Sequence, residues 1–391
     1  MRALLIAVFC CASSIASGGV NEWTRIGPNS NDVTAFSVDP SSPDTLYEAT
    51  TGIPSLWKST NGGGAWSAIG PSDLSVVQAI VADPRIANHV MVIDSFDFFQ
   101  TFDGGATWSG GKFPFGIVTG FLYGMQLAND GTITVRASQI CFGSLNCSGG
   151  GVAMSVDGGA HWSKTGLGDQ TVAALTMDPS DSGTAYAQTI DYNKVTFVTT
   201  AASLMRTRDG GKNWTRIAQT IDVRTGSHLF IDPAIRTTLD LTTDSGLWTS
   251  LDGGDTWTRS RATAPFTNVL GLSADPLDRG SFFAATPGFA APDCPTPPLP
   301  CLLLPCPPGQ SCPVLRPSPA DLLGIIRTTD HGNSWTRYID PALPRPDSLH
   351  VSNTFLALII DPRRATFYGV RSDGVFAYTL APASHRRGVR P

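Results

Sequence analysis

Thr101-Phe102-Asp103-Gly104-Gly105-Ala106-Thr107-Trp108 is the stretch from which the rest of the chain can be read. An aspartate bonds backbone amides of its own turn, and two glycines reach positive φ without steric cost, so Asp-Gly-Gly predicts a tight turn between two strands. The tryptophan that follows has a large face to bury and an indole N–H that needs a partner. The pattern recurs from Asp157 to Trp162, from Asp209 to Trp214 and from Asp252 to Trp257, each time with an apolar residue and a Ser or Thr close by. Two copies are altered, Asn61 to Trp66 and Asp330 to Trp335. Six hairpins of one kind point to a repeat architecture.

A second mark lies upstream of most hairpins. An apolar strand ends in Asp-Pro at Asp39, Asp83, Asp178, Asp232, Asp275 and Asp361, and in Asn129-Asp130-Gly131 in the third repeat. Proline ends the strand while the acidic residue starts the turn. Four residues before the Asp-Pro stands a small residue (Ala35, Ala79, Ala174, Gly271, Ala357), with His228 as the exception. Small side chains suit innermost strands that converge on an axis. One repeat therefore reads as four strands, which is a propeller blade.

Seven first strands, beginning near Val33, Val77, Phe121, Val172, His228, Val269 and Phe355, meet six Asp-Gly-Gly-type hairpins. The last repeat stops after its third strand, and Trp23-Thr24-Arg25-Ile26-Gly27 matches Trp214-Thr215-Arg216-Ile217-Ala218. The expected fold is an all-β, seven-bladed β-propeller of four-stranded antiparallel blades, its last blade closed by the N-terminal strand. Closure removes open sheet edges. Composition agrees: two glutamates and five lysines stand against 40 Gly and 29 Pro, a balance that favours turns over helices. The net charge of −5, with its Arg and Asp spread along the chain, leaves no basic footprint for nucleic acid.

These hairpins resemble the bacterial neuraminidase (BNR), or Asp-box, repeats of the sialidase-like propeller superfamily. The resemblance covers nearly all of the chain after its first residues. Similar boxes occur in sialidases, xyloglucanase-type glycosidases, sortilin-type receptors and the photosystem II assembly factor, so the likeness implies a fold more than an activity.

Residues 1–18 read as a signal peptide: Arg2, an apolar stretch from Ala3 to Ala12, then small residues up to Gly18. An uncleaved N-terminal anchor is the alternative. The propeller is expected over 19–381, with a Pro- and Cys-rich insert at 287–322 in the sixth blade and a tail at 382–391. An exported chain, extracellular or periplasmic, with Cys141, Cys147, Cys294, Cys301, Cys306 and Cys312 left after cleavage predicts disulfides: Cys141 with Cys147, the other four among themselves. Their spacing lacks the short Cys-x-x-Cys clip of a zinc site. No cofactor, metal or membrane span in the mature chain is expected, and the chain reads as a monomer.

Trp-to-Trp spacing locates the insertions. It is 42 residues from Trp66 to Trp108 but 54 from Trp108 to Trp162, 52 from Trp162 to Trp214 and 78 from Trp257 to Trp335. The surplus falls between second and third strands, at 139–151, 189–203 and 287–322, and is read as long loops on the rim opposite the Asp boxes. Long loops on a rigid scaffold are the usual way to build a binding surface. The sixth-blade insert reads either as a stapled cap over the channel or as a tolerated surface extension.

The candidate catalytic groups are Glu48, Asp94, Asp97, Asp244 and Asp373, as members of a carboxylate pair for glycoside hydrolysis. Candidate ligand-binding groups are Arg136, Asp191, Tyr192, Arg224, His228 and Arg371. The resemblance to sialidases implies three arginines, a Tyr–Glu pair and an acid Asp. Only Glu48, beside Tyr47, answers for the glutamate, and Arg25-Ile26-Gly27-Pro28 departs from the family's Arg-Ile-Pro motif. Two functions stay open: a non-catalytic propeller that binds a glycan or protein through the looped rim, or a glycoside hydrolase acting through a carboxylate pair at the channel mouth.

Overall fold

The computed structural model describes residues 22–28, 32–113, 122–142, 146–168, 170–192, 199–218, 221, 223, 228–232, 235–243, 246–260, 270–275, 281–286, 324–331, 334, 336–339, 355–361, 366–371 and 374–380. The strands form four-stranded antiparallel sheets. The first blade runs through Val33–Val38, Leu46–Thr50, Leu56–Ser59 and Ser67–Ile69. The second uses Ala79–Ala82, Val90–Ile93, Asp97–Thr101 and Ser109–Lys112. The third uses Leu122–Leu127, Ile133–Phe142, Asn146–Ser155 and Ser163–Lys164. Thr171–Met177, Ala185–Tyr192, Thr199–Thr207 and Thr215–Ile217 make the fourth. The fifth comprises His228–Ile231, Leu239–Thr243, Gly246–Ser250 and Thr258–Arg259. Leu270–Ala274, Phe282–Thr286, Gly324–Thr328 and Thr336–Ile339 form the sixth.

One further four-stranded sheet joins the two ends of the chain. Phe355–Asp361, Thr366–Arg371 and Gly374–Thr379 come from the C-terminal side, and Trp23–Arg25 adds the outer strand. The register pairs Trp23 with Tyr378, Thr24 with Ala377 and Arg25 with Phe376. Counted as unbroken stretches of chain, the blades number six, not seven, and the expectation of seven blades is corrected in that sense. The closing sheet is a composite with no Asp-Gly-Gly hairpin of its own.

The first strands of successive blades lie against one another and so line the axis. Five of these inner strands carry a register shift, between Val33 and Ala35, Leu122 and Gly124, Val172 and Ala174, Leu270 and Leu272, and Phe355 and Ala357. Four of the shifts are followed by, or skip, a small residue of the sequence pattern, and the third blade's ends on Gly124; a bulge there adds local twist where the strands crowd. The Asp-Pro turns at Asp39, Asp83 and Asp178 close as expected. Asp39 Oδ1 accepts the amides of Ser41 (2.8 Å) and Ser42 (3.2 Å), Asp83 Oδ1 that of Arg85 (2.8 Å) and Asp178 Oδ1 that of Ser180 (2.9 Å).

The Asp-Gly-Gly turns share one bonding scheme. Thr101 Oγ1 donates to Asp103 Oδ1 (2.7 Å) and accepts the amide of Gly105 (2.9 Å). Asp103 then accepts the amide of Thr107 at Oδ1 (2.8 Å) and its hydroxyl at Oδ2 (2.6 Å). Gly104 and Gly105 hold φ of 71° and 104°, where a Cβ is strained. The same acid–hydroxyl pair recurs at Ser155 and Asp157, Thr207 and Asp209, Ser250 and Asp252, and Thr328 and Asp330, and Asn61 with Ser59 replaces it in the first blade. These hydroxyl residues are all buried. The Ser or Thr two positions before the acid is thus part of the motif, because it satisfies a glycine amide that the turn turns inward.

In the first five turns the tryptophan donates its indole N–H to the second glycine's carbonyl, as Trp108 does to Gly105 (3.2 Å) and Trp162 to Gly159 (3.0 Å). Its ring packs into the seam with the preceding blade. Trp108 joins the cluster between blades one and two, and Trp162 that between two and three. Trp214 and Trp257 do so for the next two seams. Trp66 packs between the closing sheet and blade one, and Trp23 occupies the same role between blade six and the closing sheet. The periodic tryptophan is therefore the seam residue of the propeller.

Candidate functional site

The described turns between second and third strands open on the rim opposite the Asp-Gly-Gly hairpins. In blades one and two they are short. Blade one turns through 51–54, where Ile53 is 98% exposed, and blade two turns at Ser95-Phe96, where Phe96 is 48% exposed. In blades three and four the chain keeps its strand pairing far beyond its neighbours. Ile133–Phe142 pairs Asn146–Ser155 out to Phe142 opposite Asn146, and Ala185–Tyr192 pairs Thr199–Thr207 out to Tyr192 opposite Thr199. The segments expected as loops at 139–151 and 189–203 are mostly hairpin arms. Ile140, Phe142, Tyr192, Thr199 and Thr200 are residue types that favour strands, and the chain extends the ladder there instead of leaving it. The 287–322 insert lies outside the described residues.

Among the described residues the carboxylate candidates Glu48, Asp94 and Asp97 serve separate local roles. Asp94 is buried and serves the hairpin itself. Its Oδ2 accepts the amide (3.1 Å) and hydroxyl (2.8 Å) of Ser75, while its Oδ1 accepts the amides of Phe96 and Asp97 (2.8 Å each). Asp97 is half-buried at the start of the next strand, and Asp191 is exposed on the fourth blade's hairpin, opposite Ala201. Asp244 and Asp373 lie outside the described residues.

Glu48 is 0% exposed. It sits mid-strand between Phe36 and Trp57 and shares their side of the sheet, which faces the closing sheet. Neither carboxyl oxygen has a hydrogen-bond partner among the described residues. Burial pushes its pKa up to about 8, against the opposing field of Arg25. Such a group is sealed from any substrate.

Arg136 and Arg371 are also committed to the fold. Arg136 Nη1 donates to the Val172 carbonyl (3.2 Å) across the seam between blades three and four. Arg371 is 2% exposed, its guanidinium 4.6 Å from the Phe376 ring centroid; such stacking is favourable in a desolvated seam. His228 begins the inner strand of blade five, opposite Thr242, and Tyr192 ends the second strand of blade four. Arg224 lies outside the described residues. Cys141 and Cys147 are register partners in the third blade's hairpin, whereas Cys294, Cys301, Cys306 and Cys312 fall outside the described residues, as do 1–18, Trp335 and 382–391.

Two features escape a reading of the sequence. One is the pair of apolar turn tips, Ile53 and Phe96, for which a single Ile or Phe in a turn gives no distinguishing signal. The other is a buried His89–Asp83 pair on the opposite face. His89 Nδ1 lies 2.9 Å from Asp83 Oδ2, its Nε2 lies 3.1 Å from Gln100 Oε1, and its ring stacks on Phe102 at 4.2 Å. Burial raises the Asp83 pKa, but hydrogen bonds from Arg85 and His89 outweigh it and hold the carboxyl at about 2. A cavity of about 350 Å³ opens at the Asp-Pro end of the inner strands, lined by Phe36, Val38, Asp39, Pro40, Ile360 and Asp361. Among the described residues no group of three or more His, Cys, Asp or Glu could hold a metal ion, and no helix is long and apolar enough to cross a membrane.

The chain matches no protein-family model and no curated protein. Its likeness is to solved structures. The GH74 xyloglucanase from Xanthomonas campestris superposes with a TM-score of 0.60 at 16% identity, over 91% of this chain and 53% of that one. The chain thus spans about half the length of that enzyme. YCF48 from Cyanidioschyzon merolae gives 0.56 at 13% identity, over 92% of this chain and 98% of the other. A structure of YCF48 bound to D1 peptide gives 0.58 at 14% identity, over 92% and 96%. At these identities the likeness shows the β-propeller fold.

Proposed function

We propose that the protein is an exported, non-catalytic propeller that binds a polypeptide segment on the rim opposite its Asp-Gly-Gly turns. The observation that carries this reading is the pair of apolar tips, Ile53 and Phe96, presented on adjacent blades of the rim that also bears the two extended hairpins. Apolar side chains held out at turn tips gain from being covered, and a rigid rim presents them at little entropic cost. Support also comes from YCF48, a propeller of nearly the same length that has been captured with a peptide. The repeats are read as Asp boxes, and the N-terminal segment as the export signal.

Glycoside hydrolysis is the second reading, favoured by the likeness to GH74 folds. It lacks its carboxylate pair among the described candidates, because Asp94 is consumed by its turn and Glu48 is sealed. Binding of the full chain to a peptide array, set beside a screen of sialosides and polysaccharides, separates the two. We expect peptide capture that weakens at least tenfold in the Ile53→Asp, Phe96→Asp double variant and no sugar release. Turnover of any glycan that Asp97→Asn abolishes would overturn the binding reading.

A further inference from the structure

The seam between the closing sheet and the first blade is held by a short piece of chain. Trp23–Arg25 makes three register pairs with the closing sheet. The next residues cross to the first blade, where the Ile26 carbonyl accepts the Trp66 indole N–H (2.5 Å) and Ile26 packs into the seam cluster. Gly27 then lies directly over the Glu48 carboxyl: a Cβ on Gly27 would sit 2.6 Å from Oε2 and 3.1 Å from Oε1. The carboxyl is thus covered by the closing segment itself, with 0% exposure and no hydrogen-bond partner among the described residues. A carboxylate in that position is costly, so the closed seam requires the neutral acid.

We infer that Glu48 makes closure of the propeller pH-sensitive, its ionisation releasing the segment 22–28 from the first blade. The groups facing it from the packed elements are few. The closing segment brings Arg25, whose positive field favours ionisation without forming a hydrogen bond to it. The flanking strands bring Phe36 and Trp57. Across the seam, the second strand of the closing sheet carries Tyr368, in ring contact with Phe36 at 5.4 Å, and ends at the buried Arg371. Lys58 sits on the opposite side of its strand, over Tyr47. The acid therefore has one cation in its field and none bonded to it.

The direction follows from linkage. Burial raises the folded-state pKa to about 8, above the ordinary glutamate value of about 4.3. The open state loses its proton first, so closure is strongest below about pH 4.3, weakens as pH rises, and levels off above about 8. Within that window each pH unit multiplies the open fraction about tenfold.

Hydrogen exchange of the full chain tests this, with protection of the 22–28 amides expressed relative to free-peptide rates at each pH from 5 to 9. In the wild type, protection of this segment falls severalfold or more per unit up to about pH 8. In Glu48→Gln, which keeps the shape and removes the titration, it stays flat. Glu48→Met serves the same purpose should the glutamine variant fold poorly. Equal pH dependence in wild type and variants, a flat wild type, or equal loss of protection across all blades would overturn the inference. The outcome is independent of what the opposite rim binds.

Discussion

At the scale of the residue, the turn aspartates do their work as hydrogen-bond acceptors. The His161 amide, then its ring, hold Asp157 at about 2, and the Asn213 amide and side chain hold Asp209 at about 2. Thr107 likewise holds Asp103 well below the usual carboxylate range through its hydroxyl and amide. Each folded-state pKa lies below the unfolded value of about 3.9. The stabilisation is therefore complete above about pH 4 and is lost as pH falls towards 2. Thermal melts at pH 5 and pH 2.5 check this: the wild type should lose stability on the acid side. Asp157→Asn with Asp209→Asn should show a shallower loss. These groups are exposed, so salt should damp the effect. Glu48 titrates in the opposite sense, since burial rather than bonding sets its pKa. The midpoint of the stability range is accordingly expected between about pH 4 and 6.

At the scale of the element, the closing strand is legible in the sequence because Trp23-Thr24-Arg25-Ile26 repeats the text of Trp214-Thr215-Arg216-Ile217. A strand that follows an Asp-Gly-Gly turn has a recognisable end, and that end stands here without its turn. The hairpin arms of blades three and four are not legible in the same way. Trp spacing reports how many residues are inserted but not whether they stay paired, and alternation is hard to see in short polar segments such as 199–203. Glu48 stands out by its rarity, which says nothing about the face its strand buries. Removal of residues 22–28 leaves Gly374–Thr379 with an open edge carrying Phe376 and Tyr378. Unpaired edges template association. The truncated chain should therefore form soluble oligomers or aggregate where the intact chain does not, as sedimentation at matched concentrations would show.

At the scale of the whole molecule, apolar clusters fill the seams from the sixth blade through the composite sheet and round to the fifth, and Phe230 meets Phe282 across the remaining one, ring centroids 6.1 Å apart. An open solenoid frays from its ends because terminal repeats have one neighbour; a closed ring has no terminal repeat. Loss of a seam residue should accordingly be felt by every blade. Trp108 fills the seam of blades one and two, and Trp23 fills the one that closure creates, in ring contact with Tyr378 at 5.3 Å. Trp→Ala in a packed site costs about 3 kcal/mol or somewhat more. We expect Trp108→Ala to lower the Tm while the calorimetric and van't Hoff enthalpies still agree, since ring closure forces a single transition. Trp23→Ala should separate them, because it weakens the one seam whose loss converts the ring into an open array. Agreement of the two enthalpies in Trp23→Ala would show that three inter-strand pairs suffice for cooperativity without the tryptophan.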